Sequence, residues 1–247
     1  MRARRRSRGA RGHPAGADGG GGTGVSDFGG RRQKAVKVKT AKSRSTSSQK
    51  WLARQLNDPY VAEAKRQGFR SRAAFKLADL DKRFRILKKG ARVLDLGAAP
   101  GGWTQIAVEK AGEGKVLGVD ILEMTPVPGA EIMQLDFLDS AAPEKIRAAL
   151  GGPVDVVLSD MAAPTTGHGM TDHIRTVGLA EAALDFAIEV LAPGGAFVCK
   201  VFQGGAEKGM LALLKKRFAQ VRHAKPPSSR KESPETYLVA QGFRNAP

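Results

Sequence analysis

Cysteine is almost missing from this chain of 247 residues: Cys199 stands alone. One thiol makes no intramolecular disulfide framework and no cysteine-based zinc site, and it fits a reduced, intracellular compartment. Long apolar runs are missing as well. No stretch approaches the length of a membrane span, and no charged-then-apolar signal segment opens the chain, so a cytoplasmic protein without a membrane partner is expected. Acidic residues are scarce at the start. Residues 1–50 hold 14 Lys and Arg against only Asp18 and Asp27, a net charge of +12 out of +17 for the whole chain. A basic arm on a mildly basic remainder points to a polyanionic partner, nucleic acid ahead of a membrane surface.

Residues 1–47 begin with Arg2, Arg4, Arg5, Arg6, Arg8 and Arg11, pass through Gly19–Gly22, and continue as a Lys/Arg/Ser/Thr run. This segment offers too little apolar surface to offset the entropy of ordering it, so it is expected to be disordered. It reads as an electrostatic tether for RNA, with a plain solubilising tail as the other reading. Order is expected over residues 48–247. Trp51, Leu52, Leu56, Tyr60 and Val61 recur at helical spacing. Ala74, Phe75, Leu77 and Leu80 form the face of a further helix that Ser71 is placed to cap. Lys76 lies beside that face, where periodicity alone makes it a snorkelling surface lysine.

What the chain does have is a glycine-rich turn between an apolar run and an amphipathic stretch: Val93-Leu94-Asp95-Leu96-Gly97-Ala98-Ala99-Pro100-Gly101-Gly102-Trp103. In such a strand–turn–helix unit, main-chain N–H groups face a ligand, and glycines let the backbone approach it. The spacing G-x-x-x-G-G is neither the dinucleotide fingerprint nor a P-loop, and no Lys-Ser or Lys-Thr pair follows. A nucleoside without a pyrophosphate fits better, and S-adenosylmethionine is such a ligand; a tight turn with no ligand is the plainer alternative.

From Arg92 onward, strands and helices alternate, which predicts an α/β, Rossmann-like sheet with helices on both faces. Strands are expected at 92–96, 115–120, 131–134, 154–159, 195–201, 219–224 and 236–241, the last antiparallel. Helices are expected at about 103–111, 143–149, 173–191 and 207–217, with Pro193-Gly194-Gly195 as the stop and turn after the long helix. A seven-stranded sheet of this kind is the architecture of S-adenosylmethionine-dependent methyltransferases.

Ligands of open α/β sheets lie beyond the carboxyl ends of the strands. Those ends carry Asp95, Asp120, Asp160 and Lys200, with Asp136 just after the third strand. Asp120 is placed to accept from both ribose hydroxyls of a nucleoside, and Asp136 from an adenine amino group; helix caps or surface pairs are the plainer alternatives. Lys200 follows an apolar strand, where a lysine is costly to bury without an anionic partner, and Asp160 ends the neighbouring strand. A simple ion pair satisfies that much. Glu235, just before the final strand, brings a further carboxylate to the same crevice.

With these residues in view, the chain resembles the FtsJ-like ribose 2′-O-methyltransferases, in particular the bacterial large-subunit ribosomal RNA enzymes. The likeness runs from about Ser48 to Gly242 and rests on Ser71-Arg72-Ala73-Ala74-Phe75-Lys76-Leu77, Asp95 to Trp103, Ser159-Asp160-Met161-Ala162, Leu191 to Gly195, and Phe197 to Gly204. It implies a catalytic tetrad of Lys76, Asp160, Lys200 and Glu235, and cofactor contacts at Gly101, Trp103, Asp120, Asp136 and Asp160. It implies S-adenosylmethionine as cofactor, a uridine of 23S ribosomal RNA or the large ribosomal subunit as partner, and a monomer. After Asp160 the family often reads Met-Ala-Pro-Asn-x-Ser-Gly; here Met161-Ala162-Ala163-Pro164-Thr165-Thr166-Gly167 stands in its place. The basic arm has no counterpart in the family core.

The implied reaction is attack of a ribose 2′-hydroxyl on a sulfonium methyl. A sulfonium is already a good leaving group, so no metal is required, and His168 and His173 read as loop residues. The protein has to align the hydroxyl and remove its proton, and Lys200 is the candidate base. Burial and Lys76 favour its neutral form, while Asp160 favours the charged one. Two other classes are consistent with parts of the pattern. A non-catalytic RNA-binding ribosome-assembly factor needs the basic surface but not the tetrad. A nicotinamide-dependent oxidoreductase explains the sheet and Asp120 but lacks the dinucleotide glycine spacing.

Overall fold

The computed structural model describes residues 46–163, 167–202 and 208–245. The chain divides into two units, Met1–Val36 and Lys37–Pro247, and every described residue belongs to the second. The expectation for the basic arm therefore lies outside the described residues up to position 45.

The first described segment is two helices where the apolar spacing suggested one. α1 (Thr46–Leu56) ends before Asp58, whose side chain accepts from the Tyr60 N–H and caps α2 (Pro59–Arg66). Pro59 forces the break: it has no N–H to continue α1, and its fixed φ suits the first turn of a new helix. α3 (Ala73–Phe84) follows, with Ala74, Phe75, Leu77 and Leu80 buried as the periodicity predicts. Ser71 is not its cap. The N-cap position is Arg72, without a side-chain cap bond, and the Ser71 hydroxyl is buried without a hydrogen-bond partner.

Among the described residues, seven strands form one sheet: β1 (Val93–Leu96), β2 (Val116–Asp120), β3 (Ala130–Gln134), β4 (Val154–Ser159), β5 (Leu191–Phe202), β6 (Phe218–Ala224) and β7 (Glu235–Phe243). Their order is β3-β2-β1-β4-β5-β7-β6. β1 to β5 pair in parallel, and β7 runs antiparallel between β5 and β6. The crossovers use α4 (Gly102–Ala111), α5 (Ala142–Leu150), α6 (Gly169–Val190) and α7 (Lys208–Arg217). The Rossmann-like reading holds throughout. Two details differ from expectation. α6 begins four residues earlier than predicted and takes in His173, so that residue is helical. Leu191 already pairs with Val154, and the register jumps before Ala196 pairs with Val156, so Pro193-Gly194-Gly195 form an irregularity within β5.

Strand alternation sorts the core into two layers. Phe197, Cys199 and Val201 of β5, with Leu238 and Ala240 of β7, face α5, α6 and α7. Ala196 and Val198 of β5, with Tyr237 and Val239 of β7, face α3 and α4. Lys200, two positions beyond Val198, falls on the α3/α4 side. Directly paired residues share a face, and Lys200 pairs with Tyr237. Topology thus carries the polar strand ends to one edge of the sheet, beneath the start of α3. No described helix is long and apolar enough to cross a membrane.

Candidate active site

The turn after β1 is held by main-chain bonds. The N–H groups of Gly97 and Ala98 both donate to Val119 O, at 2.9 and 3.1 Å, and Gly101 N–H donates to Ala98 O at 2.7 Å. Gly101 has φ +110° and is the N-cap of α4. The nearest obstacles to added carbons at these glycines are the protein's own atoms. A Cβ at Gly97 would lie 2.7 Å from Met161 Cγ, one at Gly101 2.9 Å from Val127, and one at Gly102 2.5 Å from Ser71 Oγ. The glycine run is needed first for close packing of the turn against the loop after β4 and the start of α3. Arg70 reinforces it, donating to Pro100 O at 3.2 Å, to Thr125 O, and to Pro126 O at 2.6 Å.

Asp95 is wholly buried. Its Oδ2 accepts from Thr104 at 2.7 Å, while Oδ1 has no partner. Burial pushes its carboxyl up to about 7; the Thr104 hydrogen bond opposes this, and the charges of Asp160 and Asp120 add to it. Asp120, at the end of β2, is oriented by its surroundings: Oδ2 accepts from Ala99 N–H at 2.9 Å and Oδ1 from Leu122 N–H at 2.8 Å. Each oxygen keeps a lone pair for a further donor. Asp136 is exposed, its Oδ1 accepting from Leu138 N–H at 2.9 Å. Ile121, Leu122 and Leu138 stand beside these acids and are each more than half exposed. Apolar surface next to two oriented acceptors fits a nucleoside.

Trp103 sits differently from that group. Its indole is buried, donates to Ala73 O at 2.8 Å and packs on Tyr237 with ring centroids 5.5 Å apart. What it can present to a ligand is its main chain in the first turn of α4; its ring ties α4 to α3.

Lys76, Asp160, Lys200 and Glu235 come together from four elements. Asp160 follows β4, and its N–H donates to Leu96 O at 3.2 Å. Lys200 Nζ lies 2.5 Å from Asp160 O and 3.2 Å from Asp160 Oδ1. Lys76 reaches from α3 to pair with Glu235 Oε1, so it is not the surface lysine that periodicity suggested; its side chain is 14% exposed. Burial pushes the Glu235 carboxyl up, but the Lys76 charge and hydrogen bond, the Lys200 charge and a bond from Tyr237 outweigh it and hold the group below its ordinary value. Two ammonium and two carboxylate groups give a formally neutral cluster, which makes burying it tolerable.

Sequence reasoning passed over Tyr237. Its hydroxyl lies 2.9 Å from Asp160 Oδ1 and 2.7 Å from Glu235 Oε1. The signal was there: Tyr237 is two positions after Glu235 on one strand, so both side chains share a face. A second omission is Asp58, which is buried and pairs with both Arg72 and Arg230. Arg72 also donates to Ser228 O, and Ser228 N–H to Asp79 Oδ2 at 3.0 Å. These bonds fasten the segment before Glu235 to α2 and α3. His168 is the N-cap residue of α6, and the His173 ring stacks on Phe202. Among the described residues no cluster of His, Cys, Asp or Glu suits a metal ion. Pro164, Thr165, Thr166, Gln203 and Gly204 lie outside the described residues.

A family profile described as FtsJ-like methyltransferase matches residues 69–243. The chain belongs to the FtsJ-like methyltransferase family. It is accordingly an enzyme that needs a methyl donor, and the readings as a non-catalytic RNA-binding factor or a nicotinamide-dependent oxidoreductase fall away. The chain is 65% identical over 230 residues to a Paramagnetospirillum magneticum protein named ribosomal RNA large subunit methyltransferase E, covering 91% of this chain and 94% of that one. It is 64% identical over 220 residues to the protein of the same name from Rhodospirillum rubrum, covering 87% and 84%. Both of these spans exceed what residues 48–247 alone provide, so part of the basic arm aligns as well. Among solved structures, a Plasmodium falciparum protein described as a ribosomal RNA methyltransferase superposes with a TM-score of 0.62 at 29% identity, over 71% of this chain and 98% of that one.

Proposed function

We propose that this FtsJ-like methyltransferase moves a methyl group from S-adenosylmethionine to the ribose 2′-hydroxyl of a uridine in large-subunit ribosomal RNA, in the cytoplasm. The observation that carries this reading is the convergence of Lys76, Asp160, Lys200 and Glu235 at one end of the sheet, beside the turn after β1. The shared name of its close relatives supports the RNA and the subunit.

S-adenosylmethionine, when bound, supplies a methyl group on a sulfonium that departs as a neutral thioether. Asp120 would hold the ribose hydroxyls and Asp136 the adenine amino group, while Gly101 and Trp103 would offer the main chain of the turn and first helical residues. Asp160 stands between this crevice and the acceptor. Lys200 would take the proton of the ribose 2′-hydroxyl, leaving that oxygen's electron pair free to accept the methyl group the cofactor would supply. Asp160 then accepts from the new ammonium through its carboxylate and its main-chain oxygen. Lys76, balanced by Glu235, adds positive charge where the ribose oxygen becomes anionic. Because the nucleophile is a 2′-hydroxyl, DNA is no substrate. Residues 1–47 act as an RNA tether, and residues 48–247 form the methyltransferase domain.

Single-turnover methylation of ribosomal RNA by Lys200→Ala and Lys200→Arg tests the assignment, alongside melting temperatures and S-adenosylmethionine affinity. Both variants lose transfer while cofactor binding survives, because guanidinium stays protonated and cannot act as a base. Near wild-type transfer by the arginine variant overturns the base role and leaves a simple ion pair.

A further inference from the structure

Tyr237 is completely buried, yet its hydroxyl touches two carboxylates, Asp160 Oδ1 at 2.9 Å and Glu235 Oε1 at 2.7 Å. A phenol has one hydrogen to donate. The same two oxygens also hold the lysines: Glu235 Oε1 pairs with Lys76, and Asp160 Oδ1 lies 3.2 Å from Lys200 Nζ. The ring is fixed between Trp103, at 5.5 Å, and the Lys76 ammonium, 5.9 Å from its centroid. Among the described residues, the charged groups facing Tyr237 are Lys76 from α3, Asp160 after β4, its strand partner Lys200 on β5, and Glu235 on its own strand; α4 contributes the uncharged Trp103.

We propose that Tyr237 is a positioning residue of the methyl-transfer reaction: its single phenolic hydrogen, shared between Asp160 and Glu235, joins the two lysine–carboxylate pairs and limits the hold of Asp160 on the charge of Lys200. The inference rests on the reading of Lys200 as the proton acceptor. While that amine is neutral, no cation balances Asp160, and the phenolic hydrogen turns to it. Once Lys200 has taken the ribose proton, the ammonium occupies Asp160 Oδ1 and the phenolic hydrogen turns to Glu235. Only a C–O bond rotates. The one proton transferred goes from the ribose oxygen to Lys200, and the phenol keeps its own. Burial, with the adjacent charges of Asp160 and Glu235, pushes the phenol well above its ordinary value, so it remains a donor.

Without the hydroxyl, Lys200 is, among the described residues, the side chain left to pair with the Asp160 carboxylate, which then favours the ammonium more strongly. Tyr237→Phe keeps the ring against Trp103 and removes only the donor. The rising limb of its single-turnover pH–rate profile moves to higher pH by about one unit, with a loss of about tenfold below the limb and recovery in alkaline buffer. Affinity for S-adenosylmethionine and KM for ribosomal RNA do not change. The chain has only two tyrosines, Tyr60 and Tyr237. In a Tyr60→Phe background, 3-fluorotyrosine therefore enters position 237 alone and makes a stronger donor of nearly the same size. It shifts the limb the opposite way, to lower pH, and tests the idea even where Tyr237→Phe folds poorly.

A limb that stays in place in both proteins, or a loss equal at every pH, overturns the proposal and leaves Tyr237 a packing residue. Lys200→Ala, run in parallel, separates the two readings. If it retains wild-type transfer, the base role of Lys200 fails and the role of Tyr237 fails with it. If it abolishes transfer while the Tyr237 limb is unmoved, only the Tyr237 proposal falls.

Discussion

Lys76 and Glu235 are 159 positions apart in the chain, yet they form an ion pair whose side chains are only 14% and 17% exposed. One rides on the helix before the sheet and the other opens its last inserted strand. The pair can form only when β7 is seated between β5 and β6 and α3 lies over that end of the sheet. Its geometry therefore depends on the loop between β6 and β7, which Arg72, Arg230 and Asp58 hold down.

Asp58→Asn should show that dependence. It keeps an oxygen for the α2 cap but leaves two partly buried guanidinium groups without their counter-charge, at a cost of about 3 kcal/mol. Urea denaturation reads the loss. Methyl transfer should fall further than unfolding explains, because the segment that delivers Glu235 is loosened. Unchanged stability would mean that the two arginines find other partners and that Asp58 is no anchor.

The buried Asp95 makes stability depend on pH with a definite sign. Its folded carboxyl titrates at about 7 against an ordinary 3.8, so the folded chain binds that proton more tightly. The resulting stabilisation is complete below the ordinary value and disappears as pH rises through about 7. Asp95→Asn should therefore lose less stability than wild type as pH rises from about 4 to about 7. Glu235, held below its ordinary value, contributes the opposite trend, lost on acidification, and is common to both proteins. Parallel pH slopes for the two proteins would rule out a raised Asp95.

Asp120→Ala should leave the fold intact and weaken S-adenosylmethionine binding by about 1.5–3 kcal/mol, the value of a hydrogen bond to a charged acceptor. Titration calorimetry measures it. The turn itself should persist, since Gly97, Ala98 and Gly101 keep their own main-chain bonds. Equal affinity in the two proteins removes Asp120 from the cofactor site.

Removing residues 1–47 should preserve cofactor affinity, lower RNA affinity and flatten its salt dependence. The first fifty positions carry 14 of the 41 Lys and Arg residues, and each phosphate contact contributes close to one unit to the slope of log affinity against log salt. Binding isotherms at several salt concentrations decide the matter. Identical slopes with and without the arm would make it a bystander.

The sequence by itself determined the sheet and most of its helices. Alternating apolar runs leave few other ways to bury Leu94, Leu96, Val156, Leu158, Phe197 and Val198, and the polar residues closing those runs fall at the carboxyl end of a parallel sheet. Asp120, Asp160 and Lys200 were legible for that reason, because a charge at the end of an apolar strand stands out against its neighbours. Helix breaks and caps were less legible. Pro59 divides α1 from α2 within one continuous apolar pattern, and the Ser71 hydroxyl lies beneath Gly102 instead of capping α3. Only the tertiary structure decided which residues meet across long separations. It made Lys76 a buried partner of Glu235, turned the Trp103 ring inward, and set one phenol between two carboxylates. Local periodicity records which face of an element is apolar; which charge lies opposite is fixed by strand order and helix placement, and Tyr237 acquires its two acceptors only once β7 is paired beside β5.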